Sequence, residues 1–380
     1  MKKALIVASV ASMIKQFIMP DINLLNNLGF EVTVATNFDD PGNIKPEESK
    51  ELVSELKRLG MQVEQIDFNR YPFNKQNLNS FRRIRALIKK NKYELIHCHS
   101  PIGAAVTRIA TKNIKYINKF VIYTVHGFHF FDKAPLKNWA FYPLERYLMK
   151  YTDLLITINK QDYDRASTWD NSKVHYIPGV GIDLERIKQK PNDIEFRKKY
   201  EIPEEATIIV SVGELNKNKN HIEVINTLNK INDKDIFYII IGDGNLYTYL
   251  KNCIEKSKMR ENIILLGYRN DIINILKSSD IFIFPSIREG LSVALMEAMA
   301  CGLPTIVSNI RGNEDLIVNN KGGYLYNHQN YKELERAILE LKSNKETQKQ
   351  FGEFNKNFIQ NFSLERINSL MKNIYEKIGR

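Results

Sequence analysis

Short apolar, β-branched runs alternate with longer segments whose apolar residues recur every three to four positions. The runs Lys3–Ser9, Phe30–Ala35, Val63–Ile66, Leu95–His99, Phe120–Val125, Leu154–Thr157 and Val174–Ile177 predict seven strands in the first half. Thr207–Val212, Phe237–Ile241, Ile263–Leu266, Ile281–Pro285, Thr305–Ser308 and Tyr324–Tyr326 predict six more in the second. Between them lie helical patterns such as Ile14–Leu28, Asn77–Lys92 and Pro135–Tyr151. This alternation predicts an α/β fold of doubly wound parallel sheets with helices on both faces. The seam is Ile177-Pro-Gly-Val-Gly-Ile-Asp183, followed by a polar stretch to Pro203. It divides the chain into a Rossmann-like domain over 1–180 and a second over 181–362. Helical patterns at Lys332–Leu341 and Lys345–Phe358 close the second domain. The last one, Leu364–Ile378, places residues 363–380 back on the first. Two such domains facing each other leave a cleft at the carboxyl ends of their strands, where sheets of this kind bind ligands.

Composition adds little against this picture and removes several alternatives. At 380 residues, 43% hydrophobic and 26% charged, the chain suits two soluble domains with no low-complexity tract. Cys98, Cys253 and Cys301 are odd in number and widely spaced, which argues against a disulfide framework and for a reducing compartment. The N-terminal Met-Lys-Lys-Ala-Leu-Ile-Val-Ala-Ser resembles a signal peptide. A buried first strand explains it better, because an amphipathic helix and a second strand follow at once. No run reaches the roughly 18 apolar residues of a membrane span. Net charge is +11, and residues 1–180 carry most of it, with 26 Lys and Arg against 17 Asp and Glu. An excess of this kind suits an anionic partner or solubility alone.

Candidate chemistry sits just after the predicted strands. Gly213-Glu-Leu-Asn-Lys-Asn-Lys-Asn-His221 joins a glycine turn to Lys217 and Lys219 at a helix start, a setting for phosphate as well as an ordinary solvated loop. Gly242 in Ile241-Gly-Asp-Gly-Asn245, and Gly267 with Tyr268 and Arg269, allow tight turns or close approach to a flat ligand. Neither is a GxGxxG fingerprint, and no GxxxxGK[ST] occurs, which weakens dehydrogenase and P-loop readings. Glu289 and Glu297 flank the start of an apolar helix, Leu291–Ala300. Eight residues of helix rise about 12 Å, too far for the two carboxylates to share one atom, yet comparable to the reach from a hexose to the ribose of a nucleotide sugar. Backbone amides at Leu291, Ser292 and Val293 lie between. The neighbours of Glu297 leave almost no polar face, and a buried Glu needs a partner.

The arrangement Glu289-Gly290-x6-Glu297-Ala298, followed by Ala300-x-Gly302-x-Pro304, resembles the E-x7-E signature of family-4 retaining glycosyltransferases of the GT-B fold. Further matches in family order are Thr124-x-His126-Gly127, Ile177-Pro178 with Gly181-Ile182-Asp183, Gly213-x-Leu215-x3-Lys219, Gly242-Asp243-Gly244, Ser286 and Gly312-x-Glu314. The resemblance implies that Glu297 binds the ribose, Glu289 the donor sugar, Lys219 the diphosphate, and the turn Gly267-Tyr268-Arg269 the base. It implies that His126 faces the transferred sugar, and that transfer is metal-independent with no cofactor, the nucleotide sugar being a substrate. Within the family the chain is most similar to capsular and exopolysaccharide glycosyltransferases of Gram-positive bacteria. That likeness implies a UDP-linked hexose or N-acetylamino sugar as donor and a polyprenyl-diphosphate-linked saccharide as acceptor. Three positions depart from the pattern. Glu214 stands where the family has arginine, so that either Arg288, Arg311 or Lys217 substitutes or Glu214 serves the acceptor. Asn220 replaces a glycine after the lysine. Ser9 and Lys15 occupy a first loop that elsewhere carries a glycine pair.

Acceptor contacts are expected from Ser9, Lys15 and His99. His97-Cys-His99 puts two imidazoles on one strand face, but no third ligand is evident in sequence, so no metal is expected. The basic helix around Arg82, Arg83 and Arg85, with the aromatic segment containing Phe130, Phe131 and Trp139, suits an anionic membrane surface. The expected location is therefore cytoplasmic, at the inner face of the cell membrane. No nucleic-acid motif is present, and nothing in the sequence sets an oligomeric state. The alternatives are a GT-B sugar-nucleotide epimerase and an inactive cleft-bearing partner of a polysaccharide assembly complex.

Overall fold

A computed structural model describes residues 2–378 apart from 73, 115–118, 133 and 189–192. The chain forms two compact units, Met1–Gly181 with Glu365–Arg380, and Ile182–Leu364.

In unit 1, strands β1 (Lys2–Val7), β2 (Phe30–Thr36), β3 (Gln62–Gln65), β4 (Leu95–His99), β5 (Phe120–Val125), β6 (Leu154–Thr157) and β7 (Val174–Tyr176) form one parallel sheet in the order 3-2-1-4-5-6-7. The first strand is central because it is apolar on both faces. Ala4 and Ile6 enter one layer of core, while Leu5 and Val7 enter the other. The helix Leu364–Ile378 places Ile367, Met371 and Tyr375 at four-residue spacing against the layer holding Ala4 and Ile6.

Unit 2 repeats the design with β8 (Thr207–Val212), β9 (Ile236–Ile241), β10 (Ile263–Gly267), β11 (Ile281–Phe284), β12 (Thr305–Ser308) and β13 (Gly323–Tyr326), ordered 10-9-8-11-12-13. Every residue of β9 is buried; Phe237, Ile239 and Ile241 face one core and Ile236, Tyr238 and Ile240 the other. In each unit the strand order reverses beside the first strand, at β1/β4 and at β8/β11, the places where such sheets bind ligands.

Two local differences from the sequence reading bear on function. The segment expected as one helix over Pro135–Tyr151 breaks into a 3₁₀ turn at Leu136–Ala140, a helix at Phe141–Leu148 and a second 3₁₀ turn at Met149–Tyr151. Pro143 accounts for part of this, since it fits only a first helical turn. The helix bearing Glu297 begins at Val293 rather than Leu291, capped by the Ser292 hydroxyl, which accepts from the Leu295 N–H at 3.4 Å. Among the described residues no helix is long and apolar enough to cross a membrane.

Candidate active site

Unit 2 gathers its polar side chains around the β8/β11 reversal. Lys219, in the loop after β8, brings Nζ to 2.7 Å from Oε1 of Glu289, in the loop after β11. The same ammonium lies 4.5 Å from the centroid of the Phe284 ring. The two loops are tied together: the Ile287 N–H donates to the Asn218 carbonyl at 2.8 Å, and the Asn218 amide donates to the Arg288 carbonyl at 2.9 Å. From the loop after β12, the buried Arg311 donates its Nε–H to the Glu289 carbonyl at 3.1 Å. Two glycines permit this crowding. A Cβ on Gly242 would meet the Gly213 carbonyl oxygen at 1.9 Å, and one on Gly312, at φ +84°, would meet the Gly290 carbonyl oxygen at 2.2 Å.

Glu297 is buried among Leu295, Met296, Ala298 and Met299. Burial raises its pKa, and Arg186, whose Nη1 lies 3.6 Å from the carboxylate, opposes the rise. The sequence offered no signal for Arg186, which comes from a 3₁₀ turn (Arg186–Lys188) outside every motif. The turn expected to meet a base is tied to the same cluster, because the Gly242 N–H donates to the Gly267 carbonyl at 2.9 Å. Tyr268 there is 80% exposed, and Arg269 is clasped by Asp271 through two bonds, 2.8 Å and 2.5 Å.

The departures acquire physical reasons. Asn220 has φ +53°, the left-handed region where glycine is favoured and asparagine is the best-tolerated substitute. Glu214, Lys217 and Arg288 are exposed. Arg311 is the one alternative cation named above that sits against Glu289, and it arrives from a different loop.

Unit 1 carries a second polar cluster at the ends of β4 and β5. His99 pairs with Thr124 in register, and His126 follows two residues on. His99 Nδ1 and His126 Nε2 are 3.1 Å apart. Behind them, His97 Nδ1 is 2.8 Å from the Tyr375 hydroxyl, and His97 Nε2 is 2.8 Å from the Thr124 hydroxyl. The Tyr375 hydroxyl also bonds to Asp21. Burial lowers the pKa of His97 to about 3 and of His126 to about 4, and lowers that of His99 strongly. Burial raises that of Asp21 to about 7, against the hydrogen bond from Tyr375. A π-turn at Ile14–Ile18 precedes Asp21 and sets Phe17 with its ring centroid 6.0 Å from that of His126. Phe17, Asp21, His99, Thr124, His126 and Met371 line a hollow at this point.

Asp21, His97 and His99 each bring a potential ligand atom within 4.8 Å of the others, so the third ligand absent from the sequence reading exists in the fold. Both nitrogens of His97 are already hydrogen-bonded, however, and an ion would have to displace Tyr375 or Thr124.

The remaining acceptor and membrane candidates are mostly engaged inside unit 1. The Ser9 hydroxyl accepts from the Gly103 N–H at 2.8 Å and bonds the hydroxyl of Ser100 at 2.8 Å. Ser100 is held at φ +62°, a strained value beside His99. Lys15 pairs with Glu48 at 2.7 Å, Arg83 lies 3.6 Å from Asp67, and exposed Arg82 reaches Asn79 at 3.3 Å. Arg85 donates to the carbonyls of Ala110 and Lys112. Phe130 corrects the membrane reading outright. It is fully buried, stacked on Phe128 at 4.6 Å and edge-on to Tyr142. Trp139 is half-buried against the same group under the guanidinium of Arg165, and Phe131 is half-buried too. An aromatic cluster that fills a core has the same composition as one that meets lipid, which is why sequence could not separate them.

Comparison with known proteins agrees with this architecture. The family described as glycosyl transferases group 1 matches residues 192–358, and the glycosyl transferase 4-like family matches residues 5–159. EpsD of Bacillus subtilis (strain 168), whose name provisionally marks it a glycosyltransferase, is 31% identical over 98% of this chain and 96% of its own. A protein of Escherichia coli named UDP-Gal:alpha-D-GlcNAc-diphosphoundecaprenol alpha-1,3-galactosyltransferase is 33% identical over 66% of each chain. The solved structure of Anabaena Alr3699/HepE in complex with UDP superposes with a TM-score of 0.79 over 99% of this chain and 100% of that one, at 17% identity. The fold is thus that of the GT-B glycosyltransferases, and the chain belongs to the group 1, glycosyl transferase 4-like family.

Proposed function

We propose that this protein is a retaining transferase that moves a hexosyl or N-acetylhexosaminyl group from a UDP-sugar to a polyprenyl-diphosphate-linked saccharide, in the assembly of an extracellular polysaccharide. The observation that carries the reading is the Lys219–Glu289 pair, held by Arg311 and followed eight residues later by Glu297, buried in the helix that begins at Val293. The pair keeps a cation and a carboxylate together until a substrate divides them, Lys219 going to phosphate and Glu289 to sugar hydroxyls. Glu297, short of hydrogen-bond partners in an apolar helix, takes the ribose hydroxyls. In transfer the bond from the anomeric carbon to the diphosphate breaks, and the acceptor oxygen bonds the same face of that carbon. The acceptor proton passes to the leaving phosphate. Charge developing on the diphosphate is met by Lys219, Arg311 and the helix N-terminus at Val293. The lipid-linked acceptor is supported by the name of the Escherichia coli relative.

A donor panel with polyprenyl-diphosphate-linked acceptors, read by mass spectrometry and by the anomeric configuration of the product, tests this reading. Transfer from a UDP-sugar with retention, unaffected by EDTA and lost in Glu289→Ala, is expected. A metal requirement, an inverted product or undiminished turnover by Glu289→Ala would overturn it.

The acceptor brings the enzyme to an anionic membrane, and the exposed surface of unit 1 offers a different contact from Phe130 and Trp139. Leu136 is 89% exposed, and Leu144 and Tyr147 are exposed on the helix that follows. Lys150 lies 5.1 Å over the Tyr147 ring, and Lys112 is close enough to act on the hydroxyls of Tyr147 and Tyr151. Apolar tips with two lysines beside Tyr147 match an anionic headgroup layer, at about 1 kcal/mol per cation. Cosedimentation with anionic liposomes at low salt is expected, and Leu136→Asp with Leu144→Asp should weaken it at least tenfold. Equal pelleting with and without those changes would rule the surface out.

A further inference from the structure

His99 and His126 share a single proton across 3.1 Å, and the surroundings decide which ring owns it. If His126 donates from Nε2, His99 must accept at Nδ1 and carry its own proton on Nε2. That nitrogen is buried and has no hydrogen-bond partner among the described residues. A buried N–H without an acceptor is costly, whereas a buried lone pair without a donor is the more tolerable orphan. If His99 donates from Nδ1, its Nε2 keeps only a lone pair and His126 Nε2 becomes the acceptor. The proton of His126 then sits on Nδ1. A doubly protonated ring is no escape, because a third imidazole, His97, lies with its ring centroid 4.1 Å from that of His99, and burial favours neutral rings throughout.

We infer that His99 is a positioning residue that fixes His126 as the Nδ1–H tautomer, so that His126 presents an N–H donor, not a basic nitrogen, to a substrate oxygen. The tautomer follows from unit 1 alone; that the oxygen belongs to a sugar rests on the function proposed above. Neutral histidine in water prefers Nε2–H, so the arrangement imposes the less common form. The lone pair of His126 Nε2 is occupied by His99, which leaves the ring unable to serve as a general base toward an acceptor hydroxyl. A second chain runs behind it: when Asp21 is ionised, the Tyr375 O–H donates to it, so Tyr375 accepts from His97 Nδ1–H and His97 Nε2 accepts from Thr124.

Long-range proton–nitrogen correlation on the ¹⁵N-histidine-labelled full chain at pH 7 tests the inference without any assay of turnover. His126 and His99 should each show a protonated Nδ1 and an unprotonated Nε2. His99→Asn, whose amide N–H replaces the donor at the Nδ1 position, should keep His126 in that form, and His99→Leu should shift it at least tenfold toward Nε2–H. An Nε2–H form of His126 in the unaltered protein overturns the inference, as does a His126 tautomer indifferent to His99→Leu in a folded variant. If His99→Leu does not fold, the unaltered protein and His99→Asn still decide. The expected tautomers in a protein that transfers no sugar would sink the proposed function and leave this inference standing.

Discussion

Glu214 and Lys219 lie five residues apart in one loop, yet only Lys219 joins the cluster around Glu289. Lys219 bonds Glu289 at 2.7 Å with its ammonium over the Phe284 ring, whereas Glu214 is exposed, and among the described residues no cation pairs with it. Desolvated charge counts for much more than solvated charge. Lys219→Ala is therefore expected to weaken UDP binding at least tenfold by calorimetric titration, and Glu214→Ala less than threefold. Equal losses would mean that the diphosphate lies elsewhere. At this scale the sequence was legible where local chemistry speaks, as with Glu297 among apolar neighbours or Asn220 in a glycine's place. It was silent about partners that only folding brings near. Arg186 beside Glu297 and Asp21 beside His97 belong to no motif, because each is supplied by a distant turn or helix.

Among the elements, the strands were the most legible, since residues buried on both faces of a parallel sheet must be apolar almost without interruption. Loops were less so, because their conformation depends on what they touch. Gly312 illustrates the point. Its turn runs under the Glu289 loop, and an added Cβ would strike the Gly290 carbonyl oxygen at 2.2 Å, at a φ that disfavours any side chain. Gly312→Ala is expected to cost about 1–3 kcal/mol in chemical denaturation and to weaken UDP binding by displacing Glu289. Unchanged UDP affinity in the folded variant would show the two loops to be independent. The aromatic segment after His126 is the opposite lesson. Its composition pointed outward, but Phe128, Phe130, Tyr142 and Trp169 pack on one another, with the Trp169 N–H on the Tyr142 hydroxyl at 3.0 Å, and the apolar surface that remains is Leu136, Leu144 and Tyr147.

Across the whole molecule, buried titratable groups are unevenly divided. Unit 1 holds His97, His99 and His126 neutral, and unit 2 holds His221 neutral to about pH 4, in each case chiefly through burial. Unfolded histidines protonate near pH 6.5. Below that the unfolded chain takes up protons the folded one refuses, so stability falls with pH by about 1.4 kcal/mol per unit for each such group. Asp21 has the opposite sign. Its folded pKa of about 7 lies above the unfolded value near 3.8, so its favourable contribution is present at low pH and lost as pH rises through 7. Glu297 in unit 2 shares the sign of Asp21, so between pH 6.5 and 4.5 unit 1 loses stability more steeply than unit 2. Asp21→Asn should steepen the loss and stabilise unit 1 at pH 8. Denaturation followed separately in each unit checks this, and parallel acid profiles would refute it. The chain's return to unit 1 also sets an order of events during synthesis. Ile367, Met371 and Tyr375 complete a core whose other members lie before residue 182, and His97 meets Tyr375 only when the last helix has been made. At 5–20 residues per second the intervening segment takes roughly ten to forty seconds to translate. For that interval the nascent first unit lacks its final helix, and the apolar groove that Ile367, Met371 and Tyr375 will later fill stays open to water.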